Sequence, residues 1–178
     1  MSEKVDSGGL EIAQATTDET LDAVRALCWD YRSELMKVSP VDAQITRTFY
    51  PVPKYTALMD GLATAHARPS GAILLATLDG APAGCVMSHA LDARSAEVKR
   101  LFVSPHARGH GIAYALMEAV LAQAQNDGFA RVLLDTSTSL TAARALYLRM
   151  GFTPRGPYQE IPSDMLPHLL FFEKSLQT

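Results

Sequence analysis

Apolar and polar residues alternate with two different periods along the chain, so strands and helices are both predicted. The segment "LEIAQAT" (10–16) alternates like a strand. Thr17 or Asp18 can cap a helix that runs through "ETLDAVRALCWDYRSELM". Residues 37–55 contain three prolines and several aromatic residues, so we expect irregular structure there before a helical stretch at roughly 54–67.

The second half of the chain predicts a compact run of strands and helices. Asp79-Gly80 lies between two apolar runs in 71–91, which indicates a hairpin, and 96–103 adds a third antiparallel strand. The remaining elements are a helix ending near Asn126, a buried strand at 130–137, a short helix in "TAARALYLRMGF" closed by Gly151, and a last strand in "PHLLFFEKSL". This order predicts an α+β fold with one mixed sheet.

Composition narrows the class of protein. The chain has 178 residues, 48% of them hydrophobic and 20% charged, which suits one globular domain. We expect residues 1–8 to form a loose N-terminus and 9–178 a single domain. A net charge of −3 argues against a nucleic-acid partner. The start "MSEKVDSGGLEI" lacks the apolar stretch of a signal peptide, and no apolar run approaches the ~18–20 residues of a spanning helix, so we expect a cytoplasmic protein with no membrane partner.

Cysteine and histidine spacing does not predict a metal site. Cys28 and Cys85 are far apart and form no CxxC pair, which favours two buried, reduced thiols. The five histidines show no ligand spacing such as HExxH. We therefore expect no metal.

The segment "RLFVSPHARGHGIAYALMEAV" (100–120) places Arg108, Gly109 and Gly111 where a helix begins. Unpaired N–H groups and the helix dipole favour an anion at such a position, and glycine allows close approach of the backbone to a phosphate. The alternative is a tight turn with a solvated arginine. The chain has no GxxxxGK[ST] run, and Tyr114 stands where a dinucleotide fingerprint needs a small residue.

Two motifs together resemble the GNAT acetyltransferase superfamily. The segment "RGHGIA" (108–113) resembles its R/Q-x-x-G-x-G/A signature, and "AARALYLRMGF" (142–152) resembles its A-x-x-LY-x-x-x-GF segment. The resemblance covers about 81–152. It implies one GNAT-like domain whose central, mixed and mostly antiparallel sheet is flanked by helices on both faces. It also implies acetyl-coenzyme A as co-substrate.

The resemblance also implies roles for individual residues. The backbone of Leu101, Phe102 and Val103 would pair with the pantetheine arm of the coenzyme. Arg108, Gly109, His110, Gly111, Ile112 and Ala113 would cradle the pyrophosphate. Tyr147 would lie near the thioester sulfur, and Glu97 stands where several members carry a general base. Many members have an asparagine where this chain has Leu140, so Thr141 is the polar candidate there, with Thr138 and Ser139 beside it.

Acetyl transfer to an amine raises two proton problems. The acceptor ammonium must lose a proton, and the leaving thiolate must gain one or be stabilised. Glu97 suits the first task, directly or through a water, if burial raises its pKa. The alternative is a structural pair with Lys99, and His89 and Asp92 are other candidate proton acceptors.

The second proton and the acceptor site involve aromatic residues. Tyr147 can donate to the sulfur, or be a core aromatic residue with a satisfied hydroxyl. Tyr31 and Tyr158 are the substrate-site candidates. Arg32 could pair with an acceptor carboxylate or be an exposed charge.

The sequence therefore predicts an N-acetyltransferase that moves an acetyl group from acetyl-coenzyme A to a primary amine of a small molecule by direct attack. The alternatives are a protein lysine or N-terminal acetyltransferase, and a non-catalytic acyl-coenzyme A sensor. The sequence leaves open which amine is used, whether the donor is acetyl or a longer acyl group, and whether the chain forms a homodimer.

Overall fold

The computed structural model describes residues 9–177, which form one seven-stranded sheet with helices on both faces. The strand order is β1-β2-β3-β4-β5-β7-β6. Neighbouring strands are antiparallel except β4 and β5, which are parallel. The expected mixed, mostly antiparallel sheet in an α+β domain is thus confirmed. The N-terminus expected to be loose, residues 1–8, lies outside the described residues.

The strands follow the predicted pattern closely. They are β1 (Leu10–Gln14), β2 (Gly71–Leu78), β3 (Ala81–Ala90), β4 (Ser95–Val103), β5 (Arg131–Ser137), β6 (Thr153–Arg155) and β7 (Leu169–Ser175). The Asp79-Gly80 turn joins β2 and β3, and both of its residues have positive φ, as a tight hairpin turn requires. The three-residue β6 was not predicted, because a short edge segment with a central proline carries no alternation.

The helices confirm most of the expected positions. They are α1 (Asp18–Val38), α2 (Pro40–Phe49), α3 (Val52–Asp60), α4 (Leu62–Ala65), α5 (Ile112–Asn126) and α6 (Thr141–Arg149). Thr17 caps α1 through a reciprocal capping box with Thr20.

The expectation of irregular structure at 37–55 was wrong, because α2 and the start of α3 occupy most of it. Pro40 is the first residue of α2, where a missing N–H costs nothing, and Ser39 caps that helix by accepting from the Asp42 N–H. Pro51 is the N-cap of α3, and Pro53 lies in its first turn. The prolines therefore separate two helices and do not prevent them.

Two apolar layers hold the helices on the sheet. On one face, α5 and α6 cover β-strand residues such as Val98 and Val132, with Leu116 and Val120 of α5 fully buried. On the other face, α1, α3 and α4 pack on Ile73 and its neighbours. Apolar residues at helical spacing in 112–124, such as Ile112, Leu116 and Val120, form a stripe on the buried side of α5.

Among the residues that the structure describes, no helix combines the length and the apolar character needed to cross a bilayer.

Candidate active site

The parallel strands β4 and β5 pair at one end and separate at the other. Their pairing joins 95–97 of β4 to 131–133 of β5. Beyond it, residues 98–103 and 134–137 line opposite walls of a cavity of about 1080 Å³. We call this space the β4–β5 gap. Because β4 is not paired with β5 along the gap, its backbone groups on that side face the cavity and are available to an extended ligand.

The N-terminus of α5 opens onto the cavity. Gly109 and Gly111 have φ of 84° and 72°, and a Cβ added to either would meet nothing within 4 Å. Gly111 is the N-cap of α5, and no side chain caps the helix. The first N–H groups of this 15-residue helix, at Ile112 and Ala113, therefore have no hydrogen-bond acceptor within the helix. Both residues line the cavity. This end of the cavity suits an anion.

Arg108 lies at the rim of the same end. Its guanidinium forms an ion pair with Glu34 of α1 at 2.6 Å, and its Nε donates to the carbonyl of Val103 at 3.1 Å. His110 is exposed and does not line the cavity, and its Nδ1 lies 3.1 Å from the carbonyl oxygen of Ala107. The loop thus places Arg108 in reach of the cavity and turns His110 to its outer side.

Helix α6 contributes Thr141 and Tyr147. Thr141 is the first residue of α6 and is exposed at the cavity, and the preceding Leu140 provides no side-chain cap. Tyr147 lines the cavity while its ring packs edge-on against Phe152 and is tilted against Phe172. Burial, and then the charge of Asp135, raise the pKa of Tyr147, so its hydroxyl keeps its proton.

Glu97 lies in a buried polar network outside the cavity wall. Its carboxylate is 2% exposed. His89 Nε2 lies 2.8 Å from Oε1, Lys99 Nζ lies 3.3 Å from the same oxygen, and the Tyr158 hydroxyl donates to Oε2 at 2.6 Å. Both carboxylate oxygens of Glu97 therefore already have hydrogen-bond or ion-pair partners within the protein.

The condition under which Glu97 would suit the role of base, a pKa raised by burial, is not met. Burial alone does raise it, but the hydrogen bond from His89, the charge of Lys99 and the hydrogen bond from Tyr158 outweigh burial and lower the pKa of Glu97 to about 2. A carboxylate with such a pKa is ionised at neutral pH and is a weak proton acceptor.

Asp135 of β5 has the properties that were expected of Glu97. It lines the cavity and is partly buried. Burial, the largest cause, and the nearby Glu97 charge raise its pKa, although Lys99 acts in the opposite direction. Since Glu97 pairs in register with Leu133, the alternation of β5 puts Asp135 on the same face of the sheet as Glu97 and Lys99.

The two tyrosines expected at the substrate site have different positions. Tyr31 of α1 lines the cavity, where its ring stacks on Phe102 with centroids 5.4 Å apart. Tyr158 does not belong to the cavity wall. Its hydroxyl faces Glu97, and its ring contacts Phe171 edge-on.

Comparison with known proteins identifies the family. The model described as "Acetyltransferase (GNAT) family" matches residues 34–152, two thirds of the chain. The chain belongs to the GNAT acetyltransferase family.

Two curated relatives and two solved structures illustrate the relationship. An "IAA acetyltransferase" of Azospirillum brasilense is 38% identical over 62% of this chain and 71% of its own. A mouse "Probable N-acetyltransferase family 8 member 5" is 37% identical over 52% of this chain, but over only 39% of its own length. A GNAT-family acetyltransferase of Staphylococcus aureus Mu50 superimposes with a TM-score of 0.73 at 16% identity, over 94% of this chain and 99% of that one. The PaiA N-acetyltransferase of Thermoplasma acidophilum, solved with coenzyme A, gives 0.66 at 16% identity, over 93% and 98%. These structural matches show the fold.

The GNAT site of this chain fits an extended thioester of coenzyme A. The β4–β5 gap offers an unpaired strand edge, and the uncapped α5 terminus offers N–H groups beside open space. No cluster of three or more His, Cys, Asp or Glu side chains suited to a metal ion occurs within 9–177.

Sequence reasoning missed Asp135 as a member of this GNAT site. The available signal was one acid inside the otherwise apolar run "VLLD" of a predicted strand. An acid at the end of a buried run must be paired or face a cavity, because an isolated buried charge is costly. The sequence alone could not choose between those two outcomes.

Proposed function

We propose that this GNAT protein is an N-acetyltransferase that transfers the acetyl group of acetyl-coenzyme A to a primary amine of a small molecule by direct attack. The observation that carries the proposal is the cavity in the β4–β5 gap. It joins an anion-binding helix terminus to a wall that contains Asp135 and Tyr147. The curated relatives are described as acetyltransferases, which supports the reaction class.

The donor half of the site would hold the coenzyme through the chain's backbone. In this proposal Leu101, Phe102 and Val103 pair with the pantetheine arm as an added strand does. The loop 108–113 surrounds the pyrophosphate with N–H groups, and Arg108 exchanges Glu34 for a phosphate oxygen or binds both. Thr141 supplies a hydroxyl at the start of α6. The coenzyme itself supplies an acetyl group on a thioester.

We assign the general base to Asp135, with Glu97 as a positioning residue. Asp135 faces the cavity and its raised pKa makes it the better proton acceptor of the two carboxylates. Glu97 fixes Lys99, His89 and Tyr158 through its two oxygens. Lys99, held in this way 3.3 Å from Glu97, opposes through its charge the burial that raises the pKa of Asp135.

Tyr147 is proposed as the general acid toward the leaving sulfur. Tyr147 lines the cavity, and its raised pKa keeps the proton on its hydroxyl at neutral pH. No covalent intermediate with the protein is needed, because the amine can attack the thioester directly. The buried Cys28 and Cys85 have no part in this route.

The wall opposite the coenzyme suits a compact acceptor. It includes Tyr31 of α1, Tyr50 after α2, Tyr55 of α3, and the segment 159–161. Helices cover this side of the cavity, so a free small molecule fits it better than an extended protein segment.

A thermal-shift titration tests the donor site. Acetyl-coenzyme A and desulfo-coenzyme A should both raise the melting temperature, because each binds the native state through the pyrophosphate. Gly111→Asp should weaken binding far more than Gly111→Asn. Both residues tolerate the left-handed φ of 72°, but only aspartate places a negative charge beside the pyrophosphate. If saturating acetyl-coenzyme A leaves the melting curve unmoved, the proposed function fails.

A further inference from the structure

Strand β4 contains a bulge that places two consecutive cations on one face of the sheet. The register of β3 and β4 shifts between Met87, opposite Lys99, and Cys85, opposite Phe102. Arg100 lies within this irregularity and has a φ of 54°, the left-handed region that an arginine rarely adopts. A regular strand would send Lys99 and Arg100 to opposite faces, and Arg100 would then enter the apolar layer under α5.

The bulge instead directs Arg100 toward α3 and the aromatic wall. Its guanidinium carbon lies 5.7 Å from the ring centre of Tyr50 and 5.7 Å from that of Tyr55, and its NH1 lies 3.7 Å from the sulfur of Met87. Arg100 is partly buried and lines the cavity. Strained backbone that is retained at a cavity often serves the ligand of that cavity.

No carboxylate partner neutralises Arg100 within residues 9–177. None lies within 4.0 Å of it, whereas Lys99 pairs with Glu97 and Arg108 pairs with Glu34. Two further cations surround the same rings. Arg32 donates its Nε to the Tyr50 carbonyl at 3.0 Å, and Lys54 lies 5.8 Å from the Tyr50 ring centre.

We propose that Arg100 binds a carboxylate of the acceptor, so that the acceptor is an amino acid or an amino-acid derivative with a free amine and a free carboxylate. A planar guanidinium held between rings matches the two oxygens of a carboxylate and gains more from that partner than from the aromatic faces alone.

The two ends of such an acceptor meet opposite charges in the cavity. Arg100 with Arg32 and Lys54 offers positive charge near α3, while Asp135 on β5 offers a carboxylate toward an ammonium. Lys99 also lines the cavity, but its ammonium already pairs with Glu97 at 3.3 Å. A polyamine would place a second ammonium against the cations and is disfavoured.

The inference rests on the proposed acetyl transfer, and matched acceptor pairs separate the two. The standard amino acids and the corresponding amino-acid amides are offered with acetyl-coenzyme A, and free thiol release is followed. The amide keeps the shape and the amine but loses the charge. Its ammonium also loses a proton more readily, which works against the preference that we expect. For the best acceptor, kcat/KM should be roughly 10- to 100-fold higher for the acid than for the amide.

Variants assign this preference to Arg100. In Arg100→Gln the ratio of kcat/KM for acid over amide should fall to about one or below, and Arg100→Lys should restore part of it. Arg47→Gln removes one exposed positive charge from α2, outside the cavity wall, and should leave the wild-type ratio in place. A retained melting-temperature shift with coenzyme A shows that each variant is folded with its donor site intact.

Titration calorimetry measures the affinity for the product and does not depend on turnover. With coenzyme A present, an N-acetyl amino acid should bind the wild type more tightly than its amide, and Arg100→Gln should remove the difference. Turnover restricted to amines without a carboxylate, or an acid preference that survives Arg100→Gln, would overturn the inference and leave the acetyltransferase proposal standing. No turnover with any amine would instead overturn the proposed function, and the inference with it.

Discussion

Glu97 on β4 and Asp135 on β5 lie on the same face of the sheet, on neighbouring strands, yet their surroundings change them in opposite directions. Burial raises the pKa of both. Around Glu97, two hydrogen-bond donors and one ammonium reverse that effect, and the pKa falls to about 2. Around Asp135 only the charge of Lys99 and a backbone hydrogen bond oppose burial, and the pKa stays raised.

The two carboxylates differ in whether protein groups already occupy their oxygens. The Glu97 network is closed, because its oxygens are occupied by protein groups. The Asp135 region is open, because its carboxylate faces the cavity. Burial alone is therefore a poor guide to a general base; the partners of the buried group decide.

The largest expected effect is on turnover. Asp135→Asn keeps the shape and removes the proton acceptor, so kcat should fall ~10²–10⁴-fold at neutral pH, the usual contribution of a general base. In Glu97→Gln, kcat should fall much less. The Asn variant should be at least as stable as the wild type at neutral pH, because burial disfavours the ionised Asp135 in the fold. A pH–rate profile of both variants checks this, and equal rates for Asp135→Asn and wild type would return the role to Glu97.

Tyr147→Phe should lower kcat by a smaller factor, about 10². The reason is that a thiolate, whose conjugate acid has a pKa of about 8.5, needs less help in leaving than an alkoxide does. The loss should persist at all pH values at which Asp135 is ionised. Single-turnover kinetics with an accepted amine measure it. An unchanged rate would make Tyr147 a core aromatic residue.

Acid stability distinguishes the closed network from the open region. The pKa of Glu97 is about 2 in the fold against an ordinary 4.5, so its contribution to stability is complete above 4.5 and is lost as pH falls toward 2. That contribution is about 3 kcal/mol. Urea unfolding between neutral pH and about pH 3 should show a steep loss for the wild type and a shallower one for Glu97→Gln. Parallel curves would show that Glu97 is not held as an ionised group.

The smallest expected effect is that of Lys99→Met on the pH dependence of the rate. Lys99 interacts with both Glu97 and Asp135. Lys99 lowers the pKa of Asp135, so its removal should move the acid limb of the pH–rate profile to higher pH. Lys37→Met, which removes an exposed charge in the last turn of α1, is the control and should leave the limb in place. A limb that does not move in Lys99→Met would argue that another group titrates.

Much of the proposed coenzyme half of the site could be predicted from the sequence because its signals are local. The strand before "RGHGIA", the glycines and the stripe of α5 occupy consecutive positions, and the structure places the helix start at Ile112 with left-handed glycines before it. The wall that we propose for the acceptor comes from α1, α2, α3, β5 and the segment 159–161, which are distant in sequence. No local pattern could bring them together, and the prolines at 40, 51 and 53 even suggested irregular structure.

The sequence by itself determined most of the element order, the mixed sheet and the position of the glycine loop at 108–113, because helix and strand periods, caps and turns depend on neighbouring residues. Only the tertiary structure decided that the Asp135 carboxylate faces the cavity while the Glu97 carboxylate is bound by other side chains. That difference depends on the contacts that His89, Lys99 and Tyr158 make with Glu97. The tertiary structure also decided the orientation of Arg100, since a bulge in β4 reverses the alternation that the sequence would predict for that residue.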